Sequence, residues 1–201
     1  FRRVLFRSEP WLDRPTTLVV GPGLGRTAWS EQLLQKAVAT GLPMVLDADA
    51  LNILAQGRVV ATVEGHQWVL TPHAAEAARL LDVTVEEIQA DRFAAVRNIQ
   101  QKYNAVVLLK GSGTLIAGQD SVIKVCPYGN PAMATAGMGD VLSGIIGGLI
   151  AQGMNLQMAT ELGCCLHSAA ADMAVNERGY RGISATDLLP YIRDLLNWEA
   201  L

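Results

Sequence analysis

The sequence predicts an α/β domain built on a largely parallel sheet. Short apolar runs alternate with stretches of helix length, the pattern of successive βαβ units. Four of these runs end in chemically distinctive turns: Gly21-Pro22-Gly23, Asp47-Ala48-Asp49, Thr71-Pro72-His73 and Lys110-Gly111-Ser112-Gly113. In a parallel sheet these turns share one rim, beyond the carboxyl ends of the strands, where such folds bind ligands. Composition agrees. Half of the 201 residues are hydrophobic, enough for the core of one large domain, and 19 glycines against 5% aromatics favour closely packed helices.

The elements follow in order. Thr16–Val20 is β-branched and apolar, a buried strand entering the Gly21–Gly25 turn, with an amphipathic helix at about Ala28–Thr40. Pro43–Leu46 is the next strand, then Gln67–Thr71, which leads into a helix over Ala74–Leu81. A longer helix, about Val85–Lys102, precedes the strand Ala105–Leu109. Leu115–Ala117 and Val122–Val125 form a hairpin across Gly118-Gln119-Asp120. Three helices close the chain, at about Asp140–Gln152, Leu156–Glu177 and Thr186–Trp198. The opening Phe1–Ser8 packs three arginines among bulky apolar residues and reads as a non-native leader. No repeat, low-complexity tract or linker divides the remainder, 9–201.

The stretch from Tyr128 to Leu149 concentrates the chemistry. A loop of small residues runs into an apolar helix with one carboxylate at the junction. Gly137 and Gly139 let a ligand approach the main chain. The N–H groups of Met138, Gly139, Asp140 and Val141 converge at a helix N-terminus, which makes an anion site. A carboxylate beside a phosphate cradle needs a second reason to be there. Asp140 is either a general base for a hydroxyl undergoing phosphorylation or a cap of the helix.

The other turns each allow two readings. Asp47 and Asp49 either hold Mg²⁺ through water or, with Asn52, cap the following helix; capping is favoured for Asp49 and Asn52. His73 and Glu76 either cap and complement a helix or point into the rim, one toward substrate and one toward metal-bound water. Lys110–Thr114 is either a plain turn or a phosphate site of main-chain N–H groups with Lys110 as a point charge. It lacks the spacing of a P-loop, and Gly21–Gly25 lacks that of a dinucleotide fingerprint. His167 sits on an Ala-rich helix and reads as core or supporting residue.

Charge and cysteines exclude several classes. A net charge of −3 provides no basic field for nucleic acid or membrane surfaces. The apolar run Val141–Ala151 is far shorter than the roughly 20 residues that span a bilayer. Cys126, Cys164 and Cys165 form no C-x-x-C, so neither a disulfide framework nor a zinc site is expected, and a reduced cytoplasmic protein is the default.

Taken together, GPGLG, VLDADALN, LTPHAAEAARLL, VLLKGSGTLIAG and GNPAMATAGMGDVLSGIIGGLIAQG resemble the ADP-dependent NAD(P)H-hydrate dehydratases of the ribokinase-like superfamily, from about Leu18 to Asp187. The resemblance implies a three-layer α/β/α fold and a repair reaction. The hydrated, damaged form of NADH or NADPH is phosphorylated on its ring hydroxyl by ADP (ATP in eukaryotic members), and phosphate then leaves, giving AMP, phosphate and the restored coenzyme. It implies Mg²⁺, and Asp140 as base and substrate contact. It also implies Gly137, Met138 and Gly139 as anion hole, Lys110, Gly111, Ser112, Gly113, Thr114 and Gly139 as nucleotide contacts, and Gly23 and His73 as substrate contacts. Glu76 would match an acidic residue near Mg²⁺, through water. Relatives are often homo-tetramers, and many carry an epimerase domain upstream.

Two departures stand out. Ala74-Ala75 replace the family's Pro-Gly after Thr-Pro-His, which bears on how that helix starts. Nothing before Thr16 resembles the family's opening Lys-Gly-x-x-Gly segment and first strand. The domain is therefore expected to be N-terminally incomplete, with a neighbouring strand left at an edge and weak or no activity in this chain alone. Two alternatives use the same residues: an ATP-dependent kinase of a small alcohol of the hydroxyethylthiazole or vitamin B6 type, and an inactive nucleotide-binding regulator.

Overall fold

The computed structural model describes residues 14–59 and 65–197. The leader at 1–8 and Trp198 lie outside them. Among the described residues six strands form one sheet in chain order: β1 Leu18–Val20, β2 Met44–Leu46, β3 Trp68–Leu70, β4 Val106–Leu109, β5 Leu115–Ala117 and β6 Ile123–Val125. β1 to β4 are parallel, and β5 and β6 turn back as the antiparallel hairpin expected across Gly118–Asp120.

Strand alternation sorts the core into two sides. Met44, Leu46, Trp68, Leu70, Val107 and Leu109 face one way, onto α1 (Ala28–Ala39), α2 (Ala48–Ala55), α3 (Ala74–Leu81), α4 (Val85–Ala90) and α5 (Arg92–Tyr103). Val45, Val69, Val106, Leu108 and Ile116 face the other, onto α6 (Met138–Ala151) and α7 (Leu156–Arg178). A further cluster packs α6 and α7 against α8 (Leu188–Leu196). Near-continuous apolar strands suit a sheet covered on both faces, and a helix–sheet–helix sandwich results. Among the described residues β1 is an outer strand, and Val19 is 42% exposed.

Local chemistry moved several boundaries. The long helix expected over Val85–Lys102 is two helices. Asp91 leaves helical geometry at φ −145° and its carboxylate caps Ala94 N–H at 2.9 Å, so the side chain competes with the main chain for that donor. α2 follows the Asp47 turn directly, and its cap is Asp47, whose carboxylate accepts from Ala48 N–H. The expected caps Asp49 and Asn52 do other work: Asp49 accepts from Gly25 N–H at 2.9 Å, and Asn52 bridges Ala48 O and Arg79. α6 starts at Met138, ahead of Asp140. α8 starts at Leu188 because Ser184 and Asp187 close a 3-10 turn over Ala185–Asp187 first.

Candidate functional site

The four turns do meet on one rim. Main-chain bonds tie them in series: Asp47 N–H to Val20 O at 3.1 Å, Thr71 N–H to Leu46 O at 3.1 Å and Lys110 N–H to Pro72 O at 2.8 Å.

Asp47 is the centre of this rim, 1% exposed. Its Oδ1 accepts from Lys110 Nζ at 2.8 Å and Ala48 N–H at 2.9 Å, and its Oδ2 from Ser143 Oγ at 2.7 Å. Burial alone would push the carboxyl up. The Lys110 charge and hydrogen bonds from Lys110, Ser143 and Thr71 outweigh it and hold the group below the usual carboxylate range. Of the two readings of Asp47, the structure shows the cap, with Oδ1 accepting from Ala48 N–H. A carboxyl with a depressed folded pKa adds stability above its unfolded value of about 3.9, and that stability fades as pH falls through the folded value. Thermal melts of the wild type should therefore lose this increment below about pH 4, whereas Asp47→Asn, which never has it, should show a shallower acid decline over the same window.

Lys110 is shared. Its Nζ also lies 3.8 Å from Glu76 Oε2. A Cβ on Gly139 would fall 3.3 Å from Lys110 Nζ and 3.5 Å from Asp47 Oδ2, so the ion pair sits directly under the first turn of α6. That turn is open. Gly137 caps it at φ 86° without a side chain, and the N–H groups of Gly139 and Asp140 have no acceptor among the described residues. Met138 N–H reaches Thr135 O at 3.4 Å. Two free donors, the helix dipole and an ammonium converge, an arrangement that favours negative charge. Asp140 stands exposed in the same turn, its carboxylate without a hydrogen-bond or ion-pair partner among the described residues. It does not cap the helix.

A cleft of about 810 Å³ opens beside this turn. Lys110–Thr114, Tyr128–Pro131, Met133–Thr135, Met138, Gly139 and His73 line it. Arg92 holds the first loop through Ser112 O at 2.6 Å and Leu109 O at 3.3 Å. Asp172 holds the second through Gly129 N–H at 2.9 Å and Asn130 Nδ2 at 2.8 Å. The structure thus brings Lys110–Thr114, Met138, Gly139 and His73 into one cleft. Gly23, Glu76, Gly137 and Asp140 are not in its wall; Gly23 lies in the loop after β1 with no atom within 4 Å of a Cβ built on it.

His73 caps α3, its Nδ1 accepting from Ala75 and Glu76 N–H at 3.1 and 3.3 Å, while Glu76 Oε2 accepts His73 N–H at 2.8 Å. Ala74-Ala75 therefore start the helix normally. His73 Nε2 is 3.3 Å from Glu76 Oε1. Burial, with Lys110 and Arg79, lowers the His73 pKa against the pull of Glu76 and Asp47. Glu76 is buried and turned into the rim, where His73 and Lys110 already surround its carboxylate. No group of three or more His, Cys, Asp or Glu among the described residues is placed to hold a metal.

Sequence reasoning missed Ser143, one turn beyond Asp140; the signal was a hydroxyl in an otherwise apolar helix. It also missed the cleft wall on α7: Cys164, His167 and Ser168. His167 is buried as expected, its pKa pushed by burial to about 4 despite a hydrogen bond to the Met138 main chain.

Residues 6–194 match the family model described as NAD(P)H-hydrate dehydratase. The chain belongs to that family. It is 51% identical over 189 residues to the bifunctional NAD(P)H-hydrate repair enzyme Nnr of Coxiella burnetii, covering 94% of this chain and 38% of the relative. It is 46% identical over 184 residues to the ADP-dependent (S)-NAD(P)H-hydrate dehydratase of Neisseria meningitidis, covering 89% of this chain and 62% of the relative. Among solved structures, the ADP/ATP-dependent NAD(P)H-hydrate dehydratase of Bacillus subtilis, co-crystallised with ATP/Mg²⁺, superposes with a TM-score of 0.80 at 29% identity, over 90% of this chain and 64% of that one. The fold is the ribokinase-like one, and the family is one of dehydratases. The chain thus spans between about a third and two thirds of the length of these relatives. No helix among the described residues is long and apolar enough to cross a membrane.

Proposed function

We propose that this chain carries out the ADP-dependent dehydration of hydrated NADH or NADPH. The observation that carries the proposal is Asp140, an unpartnered carboxylate one residue from an anion site formed by the α6 N-terminus and Lys110. The adenine nucleotide lies in the cleft, contacting Lys110–Thr114, with its phosphates in the anion hole of Gly137, Met138 and Gly139, at the free N–H groups of Gly139 and Asp140. The hydrated dinucleotide lies on the other side of Asp140 and contacts Gly23 and His73. Mg²⁺ carried by the nucleotide would neutralise phosphate charge, and Glu76 is the residue that would hold it, through water.

Asp140 takes the proton of the ring hydroxyl as its oxygen attacks the terminal phosphorus of ADP, and AMP leaves. The new C–O–P linkage then breaks at carbon. The ring nitrogen lone pair pushes out phosphate, and the adjacent ring carbon gives up a proton to restore the dihydropyridine. Phosphorylation converts hydroxide, a poor leaving group, into a good one, and the sum is hydrate plus ADP giving coenzyme, AMP and phosphate. In the same reading the domain runs over 9–201, assembles as a homo-oligomer, works in the reduced cytoplasm and partners an epimerase domain.

The test supplies hydrated NADH, Mg²⁺ and either ADP or ATP to this chain and to an upstream-extended form, and follows reduced-nicotinamide absorbance. ADP-dependent recovery is expected. Failure of both forms, with a stable phosphorylated product from a small alcohol and ATP, would replace the dehydratase by a kinase.

A further inference from the structure

Asp47 has no part in the mechanism above, yet it is the most heavily bonded carboxylate in the rim. It is almost fully buried, it accepts three hydrogen bonds between 2.7 and 2.9 Å, and one of its donors is the Lys110 ammonium. A carboxylate is costly to bury without such partners, so its place is fixed by β2, α2 and α6 together. Lys110 is less fixed: a flexible stem, 23% exposed, with its charge able to swing toward solvent. The two meet under Gly139, where the absence of a side chain leaves the ammonium facing the open turn of α6.

We propose that Asp47 is a positioning residue that holds the Lys110 ammonium beneath the α6 N-terminus, so that its charge meets the phosphates bound there. Ser143 completes the device by locking the second oxygen of Asp47 from within α6 itself, which couples the position of the cation to that of the helix it serves. Glu76, at 3.8 Å, offers the ammonium a second anchor without carrying its weight. The inference rests on the nucleotide reading of the cleft.

Calorimetric titration with ADP and with adenosine, on wild type, Asp47→Asn, Lys110→Met and the double variant, tests it. Asp47→Asn is expected to weaken ADP about tenfold, the size of one well-placed charge-assisted contact, and to leave adenosine within about twofold. In the Lys110→Met background the same change should alter ADP affinity by less than about twofold, because the group it acts through is gone. Equal losses for ADP and adenosine, or a loss that persists without Lys110, would overturn the proposal and show Asp47 to be structural. Should circular dichroism show Asp47→Asn unfolded, Ser143→Ala runs the same cycle, with a smaller loss that also vanishes in Lys110→Met. A wild type that binds no ADP refutes the nucleotide reading instead.

Discussion

Replacing Asp140 with Asn is expected to lower kcat by about 10²–10⁴-fold, the usual contribution of a positioned general base, with ADP affinity unchanged or tighter. The geometry sets both halves of that expectation. The carboxylate is exposed and unpartnered, so its removal breaks no hydrogen bond and leaves no buried group unsatisfied. It stands beside the free N–H groups and the Lys110 ammonium that attract phosphate, and there a negative charge opposes nucleotide binding. Asn keeps the shape and loses both the charge and the basicity. A capping role would give the opposite pattern: about 1 kcal/mol of lost stability with kcat intact. Steady-state kinetics and a melt on the same sample separate the two. The measurement belongs in whichever form, this chain or its upstream extension, turns over hydrated NADH. A kcat within about tenfold of wild type would remove Asp140 from the chemistry.

Much of this site was legible because period-2 and helical patterns place strand ends, and a parallel sheet gathers strand ends on one rim. The Lys110–Thr114 loop and His73 therefore fell together in the cleft with no knowledge of distances, and Gly139 joined them through the family resemblance. What sequence could not supply was partnership. Asp47 looked like one of two acidic residues with a capping or metal role. That it pairs with Lys110, 63 positions on, and Ser143, 96 positions on, depends on β4 lying two strands from β2 and on α6 crossing beneath. Asp172 holding Gly129 and Asn130 is equally non-local. The split at Asp91 failed for the opposite reason. The helical pattern over Val85–Lys102 is sound on both sides, and one local side-chain bond breaks it.

The glycines of the first turn offer the sharpest contrast between neighbours. Gly21→Ala is expected to cost more than about 4 kcal/mol, enough to unfold a marginal domain. Gly21 sits at φ 133°, and a Cβ there would lie 1.7 Å from Asp47 O, 2.7 Å from Asp47 C and 3.1 Å from Ala50 Cβ. The first two atoms are main chain, tied to β1 by the Asp47 N–H to Val20 O bond, so no side-chain rotation relieves the clash. Either β1 parts from β2, or the Asp47 turn moves and takes the Lys110 anchor with it; both routes end ADP binding. Gly23, two residues on, has φ 64° and nothing within 4 Å of a built Cβ. Gly23→Ala carries only the left-handed strain of about 1–2 kcal/mol and should stay folded. As a proposed substrate contact it should raise KM for the hydrated coenzyme while leaving ADP affinity unaffected. Urea midpoints at unchanged slope, with ADP titrations on the folded samples, read both effects. If the two variants lose equal stability, close approach to Asp47 is not what reserves position 21 for glycine, and the first turn is held by backbone conformation alone.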